Sequence, residues 1–428
     1  MNLNLNPNTI QIIATCLFIV AIIHTFSTSV FEKLSHKYPS HYGLFHLLGE
    51  VEIVFGFWAL VLVLSMSYLD GIKNATHYVE SQNYVEPLFV FAVMVVAASK
   101  PILSFANTCI NFLARLVSKL TPLQINTVIY FISLSIVPLL GSLITEPAAM
   151  TLAALLLRDR FYKVGLSTPL QYATIGVLFV NVSIGGTLTN FAAPPVLMVA
   201  GTWEWTSTYM FTHFGDHATL AVFINALLVT VLFRKQIPQL GADFVEANDE
   251  MPFAVILVHL VFLAGVVVFA HYPAVFLWLF LFFLGFTSAY SKYQNPLILR
   301  ESLLVAFFLA GLVVLGSLQK WWLQPILESM TPTIAFYGTA ALTALTDNAA
   351  LTYLGSLVDG TSEEFKIALV SGAVTGGGLT VIANAPNPAG LSILRSFFTN
   401  RAVSPTYLLL AALGPTLIAA ICFRVVRF

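Results

Sequence analysis

Of 428 residues, 58% are hydrophobic and 9% carry a formal charge, far below the roughly 25% of soluble domains. Such a chain cannot cover a water-facing surface with charge. With 19 Lys and Arg against 20 Asp and Glu, it offers no basic face for nucleic acid and no strongly acidic face either. The composition is that of an integral membrane protein in contact with lipid.

The first apolar run extends from about Ile10 to about Phe31. No Lys or Arg precedes it, and it is longer than the core of a cleaved signal peptide, so it reads as a span of the ~20 residues that cross hydrocarbon. His24 lies within it. The second run, near 44 to 67, carries Glu50 and Glu52 with His46 nearby. Residues two apart point to different faces of a helix, so at most one of these acids reaches the interior. Pairing or snorkelling at the cytoplasmic boundary accounts for them, and His24 and Glu50 are kept as accessory, pH-sensing candidates. Lys100, before Pro101 at the end of the third run, is a third accessory candidate, although it reads more readily as a snorkelling lysine than as a counter-ion. Cys16, Cys109 and Cys422 are far apart and lack CxxC spacing, so they suggest neither a metal site nor a redox pair.

Further along, the runs 123–158 and 331–358 each break at a polar triplet, as hairpins that enter the membrane and turn back would. The runs 168–201 and 364–394 are long and interrupted by Gly and Pro. His213, Asp216 and His217 open the run near 214 to 233 as an outer interfacial cluster. The stretch 234–250, with Asp243, Glu246, Asp249 and Glu250, is the one long polar connector. Counting two hairpins as no net crossing leaves about ten spans, and a start outside places most Lys and Arg in the cytoplasm. Trp203, Trp205, Trp321 and Trp322 fall at span ends, as an interfacial belt would. The expected location is a bacterial cytoplasmic membrane with both termini outside.

An internal repeat organises the chain. Thr145-Glu146-Pro147-Ala148-Ala149-Met150-Thr151 is matched by Thr346-Asp347-Asn348-Ala349-Ala350-Leu351-Thr352. Downstream, Gly185-Gly186-Thr187-Leu188-Thr189-Asn190, with Ala192 and Pro195, is matched by Gly376-Gly377-Gly378-Leu379-Thr380, with Ala383 and Pro386. Gly185, Gly186, Pro194 and Pro195, and Gly376, Gly377, Gly378, Pro386 and Pro388, would break their helices and free backbone groups inside the protein. An odd number of crossings separates the copies, so they are inverted. The expected division is two N-terminal spans over 1–84, a first repeat over 85–233, a linker with two connecting spans over 234–299, and a second repeat over 300–428. The fold class is an all-α integral membrane protein, an inverted-repeat transporter with two re-entrant hairpins and two broken helices.

A small alkali cation wants several hard oxygen ligands, and the hairpin tips supply them. Glu146 and Asp347 are the leading candidates, because a carboxylate at membrane depth needs a proton or a cation to offset its burial. Asn348, Thr145, Thr346, Thr151 and Thr352 could complete the shell, faced by Thr189, Asn190, Thr380, Asn384 and Asn387 from the broken helices. Sodium would sit at Glu146, Asp347 and Asn348. The alternative is that both acids only cap the second hairpin helices, with Pro147 at the first helical position. No GxxxxGK[ST], HExxH or GxSxG occurs, and neither an enzymatic role nor a cofactor is expected.

The TEPAAMT and TDNAALT hairpins and the GGTLTNFAAPP and GGGLTVIANAPNP breaks resemble the sodium/proton antiporters of the ion transporter superfamily, which also contains arsenite, citrate and dicarboxylate carriers. The resemblance covers roughly residues 86 to 428, and Asp347-Asn348 is similar to the hairpin signature of its cation antiporters. It implies a homodimeric scaffold and a mobile transport domain of hairpins and broken helices working as an elevator, with an alkali cation and protons as substrates. Two departures stand out: Glu146-Pro147 replaces the Asn or Asp-Asn-like pair of relatives, and neither hairpin has the Ser-Asn-Thr signature of dicarboxylate carriers. A carrier of small anions on the same fold is the alternative, and an ion channel a further one.

Overall fold

The computed structural model describes residues 7–237 and 251–425; the acidic connector with Asp243, Glu246, Asp249 and Glu250 lies outside the described residues. Among the described residues every regular element is helical, as expected of an apolar chain whose backbone groups must pair within their own segment once water is gone.

In chain order the principal helices are α1 (Thr9–Lys37), α2 (Val51–Leu69), α3 (Val85–Ala97), α4 (Lys100–Leu120), α5 (Ile125–Leu134), α6 (Ile136–Ile144), α7 (Glu146–Arg160), α8 (Thr168–Gly185), α9 (Pro194–Ala200), α10 (Asp216–Leu232), α11 (Phe253–Val268), α12 (Pro273–Ala289), α13 (Leu299–Gly316), α14 (Pro332–Thr343), α15 (Asn348–Ser356), α16 (Glu363–Gly376), α17 (Asn387–Leu394) and α18 (Pro405–Arg424). Among the described residues, six helical segments are long and apolar enough to cross a membrane, or up to eight if the bent pairs α3–α4 and α5–α6 each count as one span; α11 and α12 are shorter apolar helices.

The bends have local causes. α3 and α4 meet at 62°, where Pro101 opens the first turn of a new helix. α5 and α6 meet at 42°. Pro138 has no N–H for the carbonyl of Leu134, four residues back, and that carbonyl instead accepts from Asn181 Nδ2 at 2.7 Å. Asn181 also donates to Val222 O and accepts from Asn225, so one buried amide ties α5, α8 and α10 together.

Two groups of helices emerge from the packing. In the first, α13 lies on α2 and α3, α1 on α2, and α11 and α12 on each other and on α3. At the α2–α13 crossing, Gly56 and Gly311 let the backbones touch: a Cβ on Gly311 would strike the Gly56 backbone. In the second, α6 packs on α7, α14 on α16, and α8 and α10 on α18. Its halves are cross-linked reciprocally, since α9 packs on α15 and α17 on α7. The groups meet along α3, which touches α7 and α9, and along α13, which touches α15.

Candidate functional site

Thr145 makes the first turn of the site. Its φ of 74° and ψ of 151° lie in a region that residues other than glycine occupy at a cost of about 1–3 kcal/mol. The chain doubles back there, so that a Cβ on Gly141 would lie 3.2 Å from the Cβ of Ala149. Glu146, fully buried, opens α7 with Pro147 behind it. Its N–H donates to Ala192 O at 3.3 Å, and its Oε2 accepts from Asn384 Nδ2 at 2.9 Å. Oε1 has no protein hydrogen-bond partner. Gly186 backs onto this carboxylate: a Cβ there would lie 2.5 Å from Oε1.

Asp347 makes the second turn as the N-cap of α15. Its Oδ1 accepts from the N–H groups of Ala349 at 2.8 Å and Ala350 at 3.2 Å, and the Ala385 amide also faces its carboxylate. Asn348, fully buried, hydrogen-bonds through neither amide atom. It faces Gly377, where a Cβ would lie 2.9 Å from Nδ2 and strike Ser183 Oγ.

The broken segments attach to their hairpins in matching ways. Thr189 Oγ1 donates to Ser142 O at 2.6 Å and Thr380 Oγ1 to Ala344 O at 3.0 Å. Gly185 packs against the Pro138 backbone as Gly376 packs against that of Ala340. Gly378 lies on the Val180 backbone. Pro194 and Pro195 open α9, Pro386 precedes α17 and Pro388 sits in its first turn. Asn387 Nδ2 holds the second break together through Gly377 O at 2.8 Å and Thr380 O at 2.9 Å.

Several expected ligands point elsewhere. Asn190 spends its amide on Trp205 O and accepts from Ser207 Oγ, away from both acids, because the break carries it toward the segment after α9. Thr151 and Thr352 donate to carbonyls of their own helices, Pro147 O and Ala349 O. Thr346 is partly buried beside Asp347. Of the accessory candidates, His24 uses both ring nitrogens, one on Leu48 O and one accepting from Trp58. Glu50 pairs with Arg300 at 2.5 Å, with His46 3.6 Å away. Lys100 opens α4 at the 62° bend. Trp205 is a correction to the expected belt: it is 3% exposed, stacked on Tyr209 and bonded to Glu363.

The sequence reading missed Thr375, buried and unpartnered beside Gly376, and Ser183, which donates to Val374 O at 2.8 Å. It also missed Ser142, which donates to Gly185 O and accepts from the Leu188 N–H. Ser142 lies on α6, before the turn at Thr145, so no helical spacing from Glu146 points to it. Glu52, treated from sequence only as a neighbour of Glu50, lies within electrostatic reach of Asp347.

Unpartnered buried side-chain atoms thus gather at the breaks: Thr145 Oγ1, Glu146 Oε1, both amide atoms of Asn348, Thr375 Oγ1, and the Oδ1 atoms of Asn384 and Asn387. Buried polar groups are ordinarily satisfied, and a set that is not calls for a ligand or water. Six of these seven atoms are oxygens, the donor type a hard cation takes. Asp347 bears electrostatically on Glu146, and buried carboxylates that repel one another are relieved by a proton or a cation.

No curated protein matches the chain significantly. A family model does, from residue 9 to residue 426, and so reaches into the first two spans that the motif resemblance had left out. The chain belongs to the family described as "Putative Na+/H+ antiporter".

Proposed function

We propose that this membrane protein exchanges sodium, or another alkali cation, for protons by secondary active transport, with Glu146 and Asp347 as the groups that hold cation and proton in turn. The observation that carries the reading is the pair of buried acids at the starts of α7 and α15, each met by one of two consecutive residues: Asn384 donates to Glu146, and the Ala385 amide faces Asp347. Competition of proton and cation for one carboxylate is sufficient for exchange. The matched contacts of Thr189 with Thr380 and of Gly185 with Gly376, and the reciprocal packing of α9 on α15 and α17 on α7, support an inverted repeat with two re-entrant hairpins. The two packing groups support an elevator in which α5–α10 and α14–α18 move against a frame of α1–α3 and α11–α13, the frame forming a homodimer.

The test is dissipation of a pH gradient in proteoliposomes on adding sodium, lithium, potassium or an osmotic control, with intact protein, Asp347→Asn and Glu146→Gln. Cation-specific dissipation lost in either variant is the expected result. Silence of well-folded intact protein toward every cation would sink the exchange reading and turn attention to anions.

A further inference from the structure

Two cavities adjoin between α3 and α9. The larger, about 180 Å³, is lined by Glu86, Asn190, Ala200, Val268 and His271. The smaller, about 10 Å³, is lined by Val93, Thr145 and Pro147, and has room for roughly one water-sized species. Phe191 and Leu197 line both, so they form the wall between the chambers. The wide chamber begins at the first turn of α3, where Glu86 stands, and the narrow one reaches Val93 and Met94 farther along the same helix.

Each end carries chemistry suited to a cation. In the wide chamber, Glu86 Oε1 accepts from Asn83 at 3.3 Å and lies against Gly201, where a Cβ would come within 3.1 Å; His271 faces the same carboxylate. In the narrow chamber, Thr145 is 2% exposed and its Oγ1 has no protein partner. Thr145 is bonded in sequence to Glu146, so the narrow chamber ends at the central site. Asn190, expected from sequence in the central shell, belongs to the wall of the outer chamber instead.

We infer that Glu86, with His271 beside it, is a loading station for the transported alkali cation, which passes Phe191 and Leu197 to reach Thr145 and Glu146. This rests on the exchange reading. A carboxylate at the mouth of an apolar passage raises the local concentration of cations relative to anions, and the apolar wall behind it limits passage to the moments when Phe191 or Leu197 gives way.

The experiment places a cysteine on either wall of the outer chamber, Ala200→Cys or Val268→Cys, in a full-length background in which Cys16, Cys109 and Cys422 are alanine. The rate of modification is compared for a cationic and an anionic methanethiosulfonate of similar size. The cationic reagent is expected to be favoured several-fold beyond its advantage on a free thiol, with Glu86→Gln removing the excess. Equal preference with and without Glu86, or no reaction at either position, overturns the station whatever the protein transports. In proteoliposomes, Glu86→Gln is expected to raise the half-saturating cation concentration about tenfold and leave the maximal rate within about twofold, with Glu86→Asp restoring most of the affinity. An unchanged half-saturating concentration overturns the station while exchange itself stands. Failure of the exchange reading is recognised separately, by silence of the protein that retains Glu86.

Discussion

Asn384 gives its side-chain amide to Glu146, 238 positions earlier in the chain, and its neighbour Ala385 turns a backbone N–H toward Asp347. One dipeptide therefore touches both acids. In the repeat alignment Asn384 matches Ala193, so this bridge is made by one copy alone and the two acids are not equivalent. Asn384→Ala removes a donor to a carboxyl group and a candidate oxygen ligand together. Hydrogen bonds to charged groups contribute about 1.5–3 kcal/mol, and the expected outcome is a rise of at least about tenfold in the half-saturating cation concentration, read from pH-gradient dissipation at varied sodium.

The glycines at the breaks make a contrasting pair of predictions with Gly338. A methyl group on Gly186 would meet the Glu146 carboxylate at 2.5 Å, whereas around Gly338, inside α14, there is no heavy atom within 4 Å. Gly186→Ala is expected to abolish exchange in protein that still folds. Gly338→Ala should preserve exchange and stabilise the fold by about 0.5–1 kcal/mol, through the lower helical cost of alanine. Thermal unfolding in detergent and the proteoliposome assay, run on both variants, check this.

Thr145 supplies a test of stored strain. Its φ of 74° suits glycine, so Thr145→Gly should raise stability by about 1 kcal/mol after the entropy of glycine is subtracted from the strain relieved. Thr145→Ala keeps the strain and should show no gain. A higher unfolding midpoint for the alanine variant than for the glycine variant would contradict the backbone geometry at the hairpin tip.

Asn181 predicts a structural loss with a known cause. Asn181→Leu leaves the Leu134 carbonyl, deprived of a helical donor by Pro138, without its 2.7 Å bond. A buried unsatisfied carbonyl costs about 1–3 kcal/mol, and the unfolding midpoint should fall accordingly. By contrast, the Glu50–Arg300 pair, with the Arg300 side chain 60% exposed, should contribute no more than about 1 kcal/mol. Arg300→Gln is expected to unfold within that margin of the parent.

The backbone turn at Thr145 and the helix cap at Asp347 were legible because each is a local event: an acid after a threonine, followed by small residues, repeated in both halves. The broken segments were legible for the same reason, through glycines whose packing on Pro138 and Ala340 needs bare Cα atoms. What escaped was tertiary. Nothing near Asn190 in sequence says that its amide will meet Trp205, and nothing near Asn384 says that its partner is Glu146. The pairing of α9 with α15 and of α17 with α7 joins segments about 150 or more residues apart, where periodicity is silent. Motif matching also favoured residues from about 86 onward because the polar triplets lie there, while the family match begins at residue 9.

The helices beside the outer chamber bear on the bilayer itself. α11 and α12 have 16 and 17 residues, about 24–26 Å at 1.5 Å per residue, against a hydrocarbon thickness of about 30 Å. Their outward residues, among them Val261, Trp278, Leu281 and Phe282, are more than 60% exposed. A bilayer meets a span this short by thinning, by snorkelling of flanking residues or by helix association. Val267, Val268 and His271, at the end of α11, also line the mouth that holds Glu86. A thinned annulus would bring headgroups and water down to that mouth, shortening the distance an ion travels from bulk solution and making its uptake sensitive to acyl-chain length.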